Sequence, residues 1–140
     1  MINNYEYNEL KINHKEAFDI KITNKNMELF CELSGDINPL HTDIDYAKKV
    51  GFKNKVVYGM LTSSYYSKLV GVFLPGKKCI LHSIDITFTS PVYVDDTLTV
   101  EGYVFEKNDL FNQITIKAMI TNQNNEKVSR AKIKVGVLNE

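Results

Sequence analysis

VVYGMLTSSYYSKLVGVFL, residues Val56 to Leu74, is the stretch whose reading decides the fold. It is stopped by Pro75-Gly76. Its apolar residues do not keep to one stripe. Val57, Met60, Leu61, Tyr65, Leu69, Val70, Val72 and Phe73 run around the helix they would form. A helix that is apolar on most sides is expected to be buried on most sides. Taken from about residue 57 to 74, it would span roughly 27 Å. Thr62, Ser63, Ser64, Ser67 and Lys68 break its apolar character, so it falls short of the ~18 unbroken apolar residues of a membrane span.

Beyond Pro75-Gly76 the period changes from helical to alternating. Ile84 to Phe88, Leu98 to Glu101, Ile114 to Ala118 and Ala131 to Val137 place apolar and polar residues in turn. That is the pattern of antiparallel strands with one wet face. Asp95-Asp96, Lys107 to Asp109 and Asn122 to Asn125 are the turn signals between them. On the N-terminal side, Ala17 to Ile22 reads as a further strand. A helix is expected from about Asn26 to Leu33, capped by Thr23 or Asn24 and ended by Ser34-Gly35. Asp36 to Lys55 reads as irregular, with one helical turn at Asp45 to Lys49. One long buried helix with several half-buried antiparallel strands predicts an α+β chain in which a curved sheet wraps the helix.

The chain has 140 residues, which fits a single domain over 1–140. Lys+Arg and Asp+Glu both number 17, so no basic excess points to nucleic acid. The doublets Lys48-Lys49 and Lys77-Lys78 suffice at most for one phosphorylated ligand. The opening MINNYEYNEL is polar and acidic and is followed by no apolar segment of the secretory kind. Cys31 and Cys79 lie far apart and read as two thiols in a reducing compartment. The expectation is a cytoplasmic protein with no membrane partner.

The chemistry concentrates in Ser34 to His41, SGDINPLH, read with Val57 to Leu61, VYGML. The pattern Asp-x-Asn-Pro-x-His is filled by Asp36, Asn38, Pro39 and His41. Tyr46-Ala47, Gly59-Met60-Leu61, Leu74-Pro75-Gly76 and Phe88-x-x-Pro91 running on to Asp96 follow in order. In these motifs, over roughly residues 17 to 104, the chain resembles the MaoC-like family of (R)-specific enoyl-CoA hydratases and 3-hydroxyacyl-thioester dehydratases. The resemblance implies the hot-dog fold. It also implies reversible hydration of a trans-2-enoyl thioester to the (R)-3-hydroxyacyl thioester, in fatty-acid metabolism, by at least a homodimer. It implies no metal and no redox cofactor, with coenzyme A or acyl carrier protein serving only as the substrate's carrier.

Hydration of an enoyl thioester needs a base for the water, a proton for the α-carbon and a donor for the enolate-like oxygen. A carboxylate and an imidazole on one rigid turn can hold a single water between them. Asn38-Pro39 suits such a turn, because proline fixes its own φ and biases Asn38 toward extended backbone. By resemblance Asp36 and His41 are the catalytic pair. Gly59, at the start of the long helix, is the expected oxyanion donor, since a helix N-terminus offers free N–H groups. The family also uses a serine one to two turns into this helix. Ser67 matches it by spacing, with Ser64 the second choice. One departure is Tyr58, where many members have histidine; a tyrosine there is expected to narrow or re-shape the acyl pocket.

Each residue also has a plainer reading. Asp36 alone would be a capping carboxylate and His41 a satisfied polar residue; only their joint motif favours chemistry. Gly59 can serve close packing, and Ser67 can simply bond a carbonyl of its own helix. His14 and His82 carry no signal, and Cys79 with His82 completes no metal set. Cys31 reads as core, and Tyr65-Tyr66 as helix packing or a dimer contact. Three rival functions remain. One is dehydration on acyl carrier protein, for which Lys53, Lys55, Lys77 and Lys78 would form a positive rim. A second is thioester hydrolysis, disfavoured because Val57 to Leu74 contains no Asp or Glu. The third is a non-catalytic acyl-thioester binding module.

Overall fold

A computed structural model describes residues 1–139. Its strands are β1 (Lys15–Lys21), β2 (Cys79–Phe88), β3 (Thr97–Asn108), β4 (Gln113–Thr121) and β5 (Lys127–Val137). They form one antiparallel sheet in the order β1-β3-β4-β5-β2. The helices are α1 (Asn24–Ser34), α2 (Pro39–Thr42), α3 (Ile44–Lys49) and α4 (Gly59–Lys68). The expected α+β hot-dog arrangement, a sheet around a central helix, is what the chain adopts. No helix among the described residues is long and apolar enough to cross a membrane.

Alternation decides which face of the sheet meets α4. Leu98, Val100 and Val104 of β3, Ile114, Ile116 and Ile120 of β4, and Ile133 and Val135 of β5 are fully buried on that face. The register puts Gly102 beside Ala118 and Ala118 beside Ala131, a row of small residues across three strands. Leu69 sits in that row: a Cβ on Gly102 would lie 2.8 Å from Leu69 Cδ2. Tyr66 of α4 ties the helix to β5 through a buried hydrogen bond of 2.8 Å with Ser129 Oγ.

The central helix differs from its expected form in two ways. It begins at Gly59, and after Lys68 it widens into a π-helical turn over Leu69–Phe73. There the Leu74 amide donates to the Leu69 carbonyl. The wider turn lets Leu69, Val70 and Leu74 all enter the core. Nor is the helix buried on all sides, because Met60, Ser64, Ser67 and Lys68 are exposed. These positions recur at helical spacing, so one stripe of α4 is uncovered. The expected wet-face pattern also fails on β2. It is an edge strand, and Ile80, Leu81, Ile84 and Phe88 are all substantially exposed.

Two further elements carried no periodic signal. The polar N-terminal segment straps the far end of the central helix: the Asn3 amide donates to the Val72 carbonyl, and Asn4 bridges Gly76. A 3-10 turn at Tyr7–Glu9 follows, and Lys107 donates to the carbonyls of Tyr7 and Leu10. Both cysteines are free thiols.

Candidate active site

The turn holding Asp36 is built from the end of α1. Thr23 caps this helix in a reciprocal capping box with Asn26. Gly35 closes it in the left-handed conformation, φ 71°. Ser34 Oγ donates to the Phe30 carbonyl at 2.7 Å and accepts the Asp36 amide at 3.2 Å. Asp36 Oδ1 in turn accepts the Asn38 amide at 3.0 Å. Asn38 caps α2, its Oδ1 accepting the Leu40 amide at 2.9 Å, with Pro39 in the first turn. Asn38 is thus a builder of the turn. Its Oδ1 is engaged with the backbone of α2.

His41 lies on α2 with its ring turned inward. Its Nδ1 is 2.7 Å from the Val56 carbonyl oxygen. A carbonyl has no proton to give, so Nδ1 carries the hydrogen, and Nε2 is the ring atom free to face the cavity. His41 and Gly59 share the wall of one cavity of about 350 Å³ with Phe52, Thr62, Phe88 and Val92. Gly59 opens α4, whose N-cap residue Tyr58 gives no side-chain hydrogen bond to the helix. The first amides of α4 therefore stay available for a ligand. Glycine also leaves room here for a close neighbour. A Cβ would lie 3.0 Å from Phe88 Cε1 and 3.2 Å from Cζ.

Tyr58 is not in the wall of this cavity but lies behind His41, which is. It is 2% exposed, and its hydroxyl donates to the Asp36 carbonyl oxygen at 2.8 Å. Its ring centroid lies 4.2 Å from that of His41 and 4.9 Å from that of Phe30. Burial raises its pKa, and the neighbouring Cys31 and Asp36 raise it further. Cys31 Sγ also donates to the Asp36 carbonyl, at 3.5 Å. Cys31 is accordingly no bystander of the core, which nothing in its sequence position announces.

Asp36 itself is exposed and stands outside the cavity wall, linked to His41 through Tyr58. Ser67 is not brought to the cavity: it is exposed on the outer stripe of α4, about 12 Å along the helix from Gly59. Ser64 donates to the Leu61 carbonyl at 2.6 Å, the self-bonding role considered for such serines. Of the four candidate rim lysines, Lys78 is buried and paired with Glu6. Lys53 stacks on the Tyr93 ring at 4.4 Å. Lys53 and Lys55 flank the cavity-lining stretch from Phe52 to Val56. A larger concavity of about 490 Å³ lies on the outer face of the sheet, but no residue of the Asp-x-Asn-Pro-x-His motif lines it.

A family model described as a MaoC like domain matches residues 8–127. An (R)-specific enoyl-CoA hydratase of Rhodospirillum rubrum is 33% identical over 105 residues, covering 72% of this chain and 73% of that one. A mitochondrial 3-hydroxyacyl-[acyl-carrier-protein] dehydratase of Arabidopsis thaliana is 37% identical over 76 residues, covering 54% of this chain and 45% of that one. Among solved structures, an unliganded R-hydratase of Pseudomonas aeruginosa superposes with a TM-score of 0.92 at 31% identity, covering 99% of this chain and 89% of that one. The turn around Asp36, the inward His41 and the glycine that opens the central helix thus lie within a chain that belongs to the MaoC-like domain family.

Proposed function

We propose that this protein is a hydro-lyase of acyl thioesters, adding water to a trans-2-enoyl-CoA to give the (R)-3-hydroxyacyl-CoA. The observation that carries the reading is the His41 ring. Its Nδ1 is committed to Val56, and Nε2 is left as a base in the same cavity as the start of α4. In this mechanism His41 and the free carboxylate oxygen of Asp36 hold one water. The water oxygen attacks the β-carbon and gives up a proton to the pair. The thioester carbonyl, taking enolate character, accepts a hydrogen bond from the amide of Gly59. The α-carbon then receives a proton from the same pair. A donor of that kind is worth about 3 kcal/mol at the transition state. The addition changes no net oxidation state, and the protein supplies both base and acid, so neither a metal nor a redox cofactor is needed.

Crotonyl-CoA hydration, followed as loss of enoyl absorbance, tests this with wild type, Asp36→Asn and His41→Ala. The expected result is fast wild-type turnover to the (R) product and a loss of at least a hundredfold in each folded variant. Full activity in both variants would refute the site. The second reading, dehydration of a 3-hydroxyacyl group on acyl carrier protein, rests on the likeness to the Arabidopsis dehydratase. Turnover of the carrier-bound substrate with none of the CoA substrate would establish it.

The working unit in this reading is a homodimer in the cytoplasm. Two uncovered surfaces support the dimer: the apolar edge strand β2 and the stripe of α4 that carries Met60, Ser64 and Ser67. An open strand edge favours pairing with another strand. Ser67 would then serve at the contact between two helices. Sedimentation equilibrium giving the mass of one chain at micromolar concentration would exclude it.

A further inference from the structure

The surroundings of Tyr58 give it a place between the Asp36 turn and His41. Three contacts converge on it. Its hydroxyl donates to the main-chain oxygen of Asp36, its ring lies against the His41 ring, and Phe30 of α1 packs on it. The residue is almost wholly buried, so it has no freedom to take another partner. The Asp36 amide and Oδ1 are also engaged, on Ser34 and Asn38, which leaves one carboxylate oxygen free. Of these contacts, only the one from Tyr58 reaches the turn from α4's side of the site. The others, including the Cys31 thiol on the same carbonyl, come from within five residues of Asp36. They fix the shape of the turn, while the bonds of Leu40 and His41 to Val56 hold its His41 end to the segment leading into α4; at the Asp36 end Tyr58 makes that link. Tyr58 directly precedes Gly59, so the same residue ties the carboxylate-bearing turn to the start of the helix.

We propose that Tyr58 is a positioning residue, which sets the distance and facing between the Asp36 carboxylate and the His41 imidazole by bonding one and backing the other. It stands behind the His41 ring and outside the cavity wall. Its effect is therefore on the rate of the bound complex and not on binding. The inference rests on the reading that Asp36 and His41 hold the reacting water. Misplacing such a pair by an ångström is enough to lower a rate about a hundredfold.

The test is Tyr58→Phe, which keeps the ring and removes the hydroxyl. The expected result on crotonyl-CoA is a ten- to hundredfold fall in kcat with KM unchanged within twofold. Replacing Tyr58 with 4-aminophenylalanine, which restores a donor at the same place, is expected to recover most of the rate. Hydrogen exchange supplies a readout that needs no turnover. Amides of residues 36–42 are expected to exchange faster in Tyr58→Phe while those of β3 to β5 stay unchanged. Unaltered kcat together with unaltered exchange overturns the proposal, as does a rise in KM at constant kcat. Asp36→Asn and His41→Ala are measured alongside. If they keep full rate, the reading of the site fails. If they collapse while Tyr58→Phe keeps its rate and its exchange pattern, only the positioning role fails.

Discussion

The bond between Tyr66 and Ser129 allows a stability prediction with a defined size. Both residues are fully buried, and Ser129 pairs in the sheet with Phe88, which walls the cavity. Burial pushes the Tyr66 phenol up to about 12, against the opposing pull of Ser129 and the Ile120 main chain. Tyr66→Phe deletes the hydroxyl but strands Ser129 Oγ without water. Leaving a buried polar atom unpaired costs about 1–3 kcal/mol, well above the ~1 kcal/mol net worth of the bond itself. Ser129→Ala strands the phenol instead, at about 1–2 kcal/mol, because the Ile120 main chain still meets it. The double variant removes both polar atoms, so its loss should be close to that of Tyr66→Phe alone. The coupling energy then equals the Ser129→Ala loss, about 1–2 kcal/mol, larger than the ~0.5 kcal/mol scatter of independent sites. Urea unfolding of the four proteins at one fixed concentration measures it. Additive losses would show that the two hydroxyls do not depend on one another, and the packing account of α4 on β5 would be wrong.

Other outcomes follow from glycines, a cap and a thiol. Gly102→Ala is expected to lose about 1–3 kcal/mol in urea unfolding, because its Cβ would press on Leu69 and Ile116 in the core. Gly59→Ala should lose less than half as much, since the half-exposed Phe88 ring can swing away; the displaced ring should instead show as a changed KM for crotonyl-CoA. Thr23→Ala removes one bond of the capping box, and thermal melting should report a loss of about 0.5–2 kcal/mol. Burial pushes the Cys79 thiol up to about 11 from 9.0, so its contribution to stability is intact below pH 9. Between pH 9 and 11 the unfolded chain releases this proton before the folded one, and stability falls. Urea midpoints of wild type should therefore drop more steeply over that window than those of Cys79→Ala.

The fold was legible where burial imposes a period. Ile114, Ile116, Ala118 and Ile120 alternate because one face meets α4, and Met27, Phe30 and Cys31 recur because one face of α1 does. The same logic misleads on β2. Ile84, Ile86 and Phe88 alternate like their neighbours, but an edge strand lacks a second partner to cover it. The N-terminal strap was silent because its bonds run from backbone and Asn side chains, which leave no hydropathy pattern. At the site, the turn from Gly35 to Pro39 was legible because its caps, Ser34 on Asp36 and Asn38 on Leu40, are local in sequence. The placement of Tyr58 is not local. Whether its ring points into the cavity or beneath the turn depends on Phe30 and His41 closing around it, and no residue spacing encodes that. Ser67 matches by spacing, and the rotation of α4 puts it on the exposed stripe of the helix.

The strand order has a consequence for how the chain reaches this structure. β3, β4 and β5 are joined by short hairpins, whereas β1 must pair with β3 and β2 with β5 across long stretches of chain. Contacts distant in sequence pay their loop-closure entropy before they return any stability, and they form late. The three-stranded meander is therefore the natural folding nucleus, and the row Gly102, Ala118 and Ala131 on its inner face is the seat that receives α4. During synthesis α1 and α4 emerge first, yet the surface that buries them is translated last. Until β5 appears, Leu61, Leu69 and Val70 have no sheet to cover them, which makes the incomplete chain the form most exposed to aggregation.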